Sequence, residues 1–447
     1  KEVTMRTALR WLAISTLLAA SLPMQARTRP HYGGTVRVEI RSSNWLAEPY
    51  LRALVTETLT TVDNRGEAQA VLATNWESQN GARRWVFTLR QGVRWHDGTE
   101  LTAEDVARLL KSVQCAGCDQ RTVRASGAQV VIESTQPMLT LPAELALPRF
   151  AIVREGEAHI PIGTGAFRVA SVGMNSVRLE AFASSWSGRA FADAVEIFTS
   201  RTVRDQWLDA GVNRTDIVEV PAESIRRAQQ EHLRPTAAPD SVLIALVANP
   251  ARQSDPRLRQ AVAATLERTA LYSFAFQKQG EVSASLLPDW LTGYSALFPT
   301  EPDPARAREL RVQLGSATNL TVGYPADDPT LQLVAERVAL NAREQGLQVQ
   351  AIATTSADVL VTRIALASTN PWVALSELAT LAHYHVSYNE ISMDELNRNE
   401  RELLNSANII PLFHIPRSYA PSERLHSLTL DPFGAPELAG AWIEDRR

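Results

Sequence analysis

Residues 72–106, LATNWESQNGARRWVFTLRQGVRWHDGTELTAEDV, constrain the fold more than any other stretch of the chain. Trp85, Phe87 and Leu89 alternate with Val86, Thr88 and Arg90, the period of a strand with one buried face. Val93 and Trp95 predict a second short strand. Asp97-Gly98 then turns the chain, because glycine tolerates positive φ and aspartate bonds its own backbone. Thr102 stands three residues before Asp105 and predicts an N-cap, with acids in the first turn of the helix that follows. A hairpin and a capped helix make a scaffold; they carry no chemistry.

The chain has 447 residues, too many for one ordinary core, which implies two lobes or domains. Lys+Arg 45 against Asp+Glu 49 leaves a net charge of −4, so no basic field points to nucleic acid. Near the start, Arg6 and Arg10 precede the apolar run of residues 11–20, and Met24-Gln25-Ala26 closes the segment. This is the pattern of an export signal over residues 1–26; a buried N-terminal helix is the competing reading. The run is shorter than the ~20 apolar residues of a membrane-spanning helix. No cysteine lies beside it. The expectation is a soluble, exported protein of the periplasm.

Further along, Gly33-Gly34 opens a strand at residues 35–40. Leu51, Leu54, Val55 and Leu59 predict a helix within residues 49–59. Residues 241–249, SVLIALVAN, read as a strand buried on both faces. Asp255-Pro256 starts a helix that should continue through Glu267-Arg268. Leu331, Val334, Ala335, Val338, Ala339 and Ala342 form one apolar helix face, ended by Gly346. Strands at 320–324, 349–353 and 359–364 alternate with helices, which implies an α/β fold and a mostly parallel sheet.

Four pieces, taken in order, resemble the family-5 extracellular solute-binding proteins, the dipeptide-, oligopeptide- and nickel-binding class that feeds ABC importers. They are residues 72–106; Pro161-Ile162-Gly163-Thr164-Gly165, with the strand that follows it; residues 256–268; and Ile409-Ile410-Pro411-Leu412-Phe413-His414. The resemblance runs from about Gly33 to Trp442. It implies a two-lobe class II periplasmic-binding-protein fold with an extra subdomain in the first lobe. The expected division is residues 1–26 as signal, 27–240 as the first lobe, 241–405 as the second, and 406–447 returning to the first. It also implies a monomer that captures a small peptide or related solute and delivers it to an inner-membrane permease. No cofactor, metal or nucleic acid is called for. A ligand-binding sensor or scaffold of the same fold, with transport lost, is the alternative.

No nucleophile elbow, zinc helix, P-loop or dinucleotide fingerprint stands in its required context, so an enzyme is not expected. His383 and His385 share a face of an extended segment, but no third metal ligand is implied. The expected binding wall is aromatic: Trp45, Trp290, Tyr294 and Trp372, with Asn370. Peptide binders of the family carry a G-D-x-x-D-P type segment whose first aspartate pairs with the ligand ammonium. Aligning Asn370-Pro371 with its Asp-Pro places Ala367 where that aspartate would stand. Cys115 and Cys118 form C-A-G-C; in an exported chain a short-loop disulfide is the expectation, with redox or metal chemistry as alternatives.

Overall fold

The computed structural model describes residues 30–115, 117–252, 254–293, 298–315 and 319–444. The export segment and Tyr294 lie outside the described residues. All elements below belong to the unit that begins at Tyr32.

The chain enters on β1 (Thr35–Glu39) and then leaves the main sheet. β2 (Thr60–Val62) and β3 (Ala68–Ala70) form a hairpin. β4 (Ala73–Gln79), β5 (Arg84–Leu89), β6 (Arg121–Ser126) and β7 (Gln129–Ser134) build a separate antiparallel sheet in the order β4-β5-β7-β6. The helix Ala103–Ser112 covers it. Thr102 caps that helix, accepting from Asp105 N, while the Asp105 carboxylate accepts from Thr102 N, a reciprocal capping box. Leu59, Phe87, Trp95, Val106 and Ile132 fill the core of this subdomain.

Val93-Trp95 is a loop carrying one bridge, Arg94 with Glu100, and not a strand. Its backbone groups are used locally: Leu101 N donates to Val93 O and Trp95 N to Thr99 O. That tight loop drives the Trp95 ring into the core, where it is fully buried.

After the short pair β8 (Arg154–Glu155) and β9 (Pro161–Ile162), the chain returns to the main sheet. It does so through β10 (Phe167–Val172), β11 (Ser176–Ala181), β12 (Ala194–Phe198) and β13 (Ile217–Glu219). β14 (Thr236–Ala248), β15 (Glu281–Val282), β16 (Asn319–Tyr324), β17 (Gln348–Ala353), β18 (Val359–Ala365) and β19 (Ile409–Pro421) complete it. The order is β10-β11-β12-β1-β13-β19-β14-β18-β16-β17, with β15 against β19.

Two 13-residue strands, β14 and β19, hold the halves together. β14 pairs with β19 along most of its length, from Thr236 opposite Tyr419 to Val247 opposite Ile409, while β13 pairs with the C-terminal end of β19 and β15 with Phe413 and His414. On the β1 side, Val36, Ile40, Leu179 and Ile197 lie in one core. On the β16 side, one sheet face packs the helices Pro256–Ala264, Arg268–Ala275, Pro304–Leu314 and Pro329–Glu344. The other packs Pro371–Leu381 and Met393–Ser406. The residues that predict an apolar helix face at 331–342 are all buried there.

Three further expectations change. The helix near residues 49–59 stops at Arg52. Leu54 O and Val55 O accept from Phe167 N and Gly165 N, so the carbonyls that a longer helix needs are taken by the 161–169 turn. The helix from Pro256 ends at Ala264 and a second begins at Arg268. There Thr265 Oγ1 bonds back to Val262 O, and Arg268 is buried with its Nε donating to Pro411 O. Finally, the main sheet is mixed: β16 runs parallel to β17 and β18, but β14 is antiparallel to both its neighbours.

Candidate functional site

Where the two long strands meet near their lobe-crossing ends, their register slips between Ala237 and Asp240, between Asp240 and Val242, and again at Ile244/Ala245. Pro239 and Pro416 bring no backbone donor to this stretch. The ladder is weakest here, and a cavity of about 190 Å³ lies against it. β19 contributes Ile415 through Tyr419 as its floor. Arg41, Glu48 and Glu219 come from the β1 side, and Val242, Arg363 and Ala365 from the β18 side.

The walls are charged and mostly paired. Arg41 Nε lies 2.8 Å from Glu219 Oε2. Burial works against the Arg41 charge, but Glu219 outweighs it and raises the pKa above the ordinary value. Arg363 sits between two acids: its Nη2 is 2.9 Å from Glu223 Oε1 and its Nε is 2.9 Å from Asp328 Oδ2. Burial disfavours the guanidinium, yet the two carboxylates hold its pKa high, and burial's upward pull on Asp328 is overcome by Arg363.

Asp328 also caps the helix Pro329–Glu344, accepting from Thr330 N and Leu331 N. Thr330 Oγ1 donates to Glu223 Oε1 at 3.0 Å. Glu223 follows Ala222, which packs in the β16-side core, and precedes Ile225 and Ala228, which pack with Val218 and Ala420. The network therefore ties the segment after β13 to β18 and to a helix of the second half.

A second contact joins the subdomain to the helix Pro371–Leu381. Asn370 caps that helix through Oδ1, and its Nδ2 donates to Gly66 O at 3.0 Å. Thr369 Oγ1 donates to Asp63 O at 2.7 Å. Gly66 sits at φ +77, and a Cβ there would lie 2.7 Å from Thr369 O. Arg149 pairs with Glu377, and Val373 packs in the subdomain core.

The expected wall residues fall elsewhere. Trp45, 7% exposed, packs in the β1-side core. Trp290 is exposed, and its indole N–H donates to Asp240 O at the crossing. Trp372 packs beside Leu375 and Leu378, and Asn370 is committed to the contact above. None of these four is among the residues that line the cavity. Ala367 packs against the subdomain core. Cys115 and Cys118 form a disulfide with Cα atoms 5.2 Å apart, closing a turn in which Gly117 takes a positive φ.

The cavity residues left one trace in the sequence. Arg363 and Arg417 are charged residues inside largely apolar strands, β18 and β19, where a charge needs a reason.

Comparison with known proteins places the chain. The profile described as "Bacterial extracellular solute-binding proteins, family 5 Middle" matches residues 67–374. Among curated proteins, the HTH-type transcriptional regulator SgrR of Escherichia coli strain K12 is 29% identical over 170 residues, 36% of this chain and 31% of that one. The match thus spans about a third of that relative's length.

Among solved structures, the oligopeptide-binding protein AppA from Bacillus subtilis, in complex with a nonapeptide, aligns over 93% of this chain and 100% of its own, with TM-score 0.76 and 17% identity. The dipeptide-binding protein from Pseudoalteromonas sp. SM9913, in complex with Met-Leu, covers 92% of this chain and 100% of its own, with TM-score 0.78 and 18% identity. NikA from Staphylococcus aureus, in complex with Ni(L-His)2, covers 92% and 100%, with TM-score 0.75 and 14% identity. At these identities they establish the two-lobe α/β fold. The chain belongs to the bacterial extracellular solute-binding proteins of family 5.

Proposed function

We propose that this chain is the substrate-binding component of a peptide-type ABC importer. It captures a small peptide or peptide-like solute between its lobes, as a monomer in the periplasm, and delivers it to an inner-membrane permease. The reading rests chiefly on one observation: a charged cavity at the crossing of β14 and β19, with walls drawn from both halves of the sheet. We place the first lobe at residues 27–240, the second at 241–405, and the return at 406–447. The register slips of β14 and β19 are the bending point.

Binding is reversible and involves no covalent step. Family membership supports this, since these proteins bind solutes. Trp290 is exposed at the edge of the crossing and outside the cavity, so the cavity residues Arg41, Glu219, Arg363 and Tyr419 take precedence over it as wall. A sensor that has lost transport is not favoured. Solved proteins sharing the fold include one described as an ABC transporter substrate-binding protein, CtaP from Listeria monocytogenes.

Native mass spectrometry of protein purified from its own host tests the proposal. A retained solute of defined mass is the expected result. Bare protein that also shows no thermal stabilisation with any solute pool would overturn it, because a ligand at 100 times its Kd adds ~2.7 kcal/mol.

A further inference from the structure

Two charged side chains on the cavity wall are left over once its ion pairs are drawn. Arg41 is taken by Glu219, and Arg363 by Glu223 and Asp328. Among the described residues, Glu48 and Arg417 make no ion pair and no side-chain hydrogen bond, though both line the cavity. They are of opposite sign and close enough for each charge to act on the other, yet they do not meet.

Burial, reinforced by Glu219, raises the Glu48 carboxyl above its ordinary range, and Arg417 and Arg41 only partly oppose this. A half-buried carboxylate and guanidinium held apart in one cavity are costly unless something bridges them. The Arg417 guanidinium fork suits a carboxylate. The Tyr419 ring, packed edge-on to Tyr50 with centroids 5.5 Å apart, walls the space beside it.

We propose that Glu48 and Arg417 are the poles that read the solute, and that the solute is a zwitterion of amino-acid size, its ammonium at Glu48 and its carboxylate at Arg417. This rests on the solute-binding reading above and narrows it. The cavity of about 190 Å³ suits a guest of that size. Both poles are supplied by the β1 side and the crossing strand, so neither depends on the segment around Ala367.

Four probes separate the alternatives by thermal shift and calorimetry: a pool of the twenty free amino acids, the same pool N-acetylated, the same pool as carboxamides, and a mixed nonapeptide pool. The expected result is stabilisation by the free pool alone. Glu48→Gln and Arg417→Gln should each weaken the best free amino acid at least tenfold, with circular dichroism unchanged and no loss of unliganded melting temperature.

Equal binding of the acetylated or amidated pool, binding of nonapeptides only, or full affinity in both variants would overturn the assignment. So would a retained solute, found by native mass spectrometry, that lacks either charge, and that result would leave the solute-binding reading standing. Bare protein that responds to no pool would overturn both.

Discussion

Replacing Arg363 with methionine tests the ion network that joins the two halves. The substitution keeps an unbranched stem but removes the guanidinium from between Glu223 and Asp328, each 2.9 Å away. It also removes the cation lying 5.5 Å over the Phe276 ring. Two carboxylates would then face each other, and Glu223 Oε2 is already buried without a partner. Breaking a fully buried pair costs about 3–5 kcal/mol, and exposed pairs are worth about 0–1 kcal/mol. Side-chain exposures of 23% for Arg363, 19% for Glu223 and 20% for Asp328 put this network between those limits. The expected loss is about 2–3 kcal/mol, read as a lower urea midpoint at unchanged slope.

Adding Glu223→Gln should return part of that loss, with a coupling of about 1–2 kcal/mol. The sign with pH follows from Asp328, whose folded pKa is depressed: burial raises it, but Arg363 lowers it further. Its contribution is present above the unfolded carboxylate value and is lost as pH falls through the folded one. Wild type and Arg363→Met should therefore converge in acid. A loss under about 0.5 kcal/mol at neutral pH, or a gap that widens in acid, would refute the reasoning.

Further outcomes follow from other sites. His414 is fully buried, its Nε2–H donates to Leu286 O, and burial pushes its pKa down to about 4. The unfolded chain therefore takes up a proton that the folded chain refuses between about pH 6.5 and 4, and stability falls with pH there by up to about 3 kcal/mol. His414→Gln should flatten that slope relative to wild type in urea melts at stepped pH; parallel slopes would count against it. Gly66→Ala puts a Cβ 2.7 Å from a backbone carbonyl at φ +77, so about 2 kcal/mol of stability should go, with faster proteolysis of the β2–β3 hairpin as the second readout. Thr102→Ala removes one half of the capping box and should cost about 1 kcal/mol, and Thr102→Ser should restore most of it.

Local chemistry was legible in the sequence wherever the partners lie close by in the chain. Thr102 and Asp105 are three residues apart, and their capping box stands as expected. So does the apolar face of the helix Pro329–Glu344. Readings failed where distant backbone intervened. The helix at Pro49 is cut short by Gly165 and Phe167, more than a hundred positions away, and no periodicity carries that information. Where a side chain packs is equally hidden: Trp45 and Trp372, expected in a binding wall, pack in the cores. Arg41, Glu48, Glu219, Arg363 and Arg417 converge only because β13, β19, β14 and β18 lie side by side, an order that sequence does not display. The glycine turn at 163–165 was legible as a turn. Its reason was not: a Cβ on Gly163 would stand 2.0 Å from Val55 O.

Small-angle X-ray scattering of the protein, first stripped of solute by unfolding and refolding and then loaded with the solute that it retains from its host, tests the closing of two lobes most directly. Loading should shrink the radius of gyration and sharpen the profile, and bending should centre on β14 and β19 near Asp240 and Pro416. Superimposable profiles for stripped and saturated protein would contradict the account.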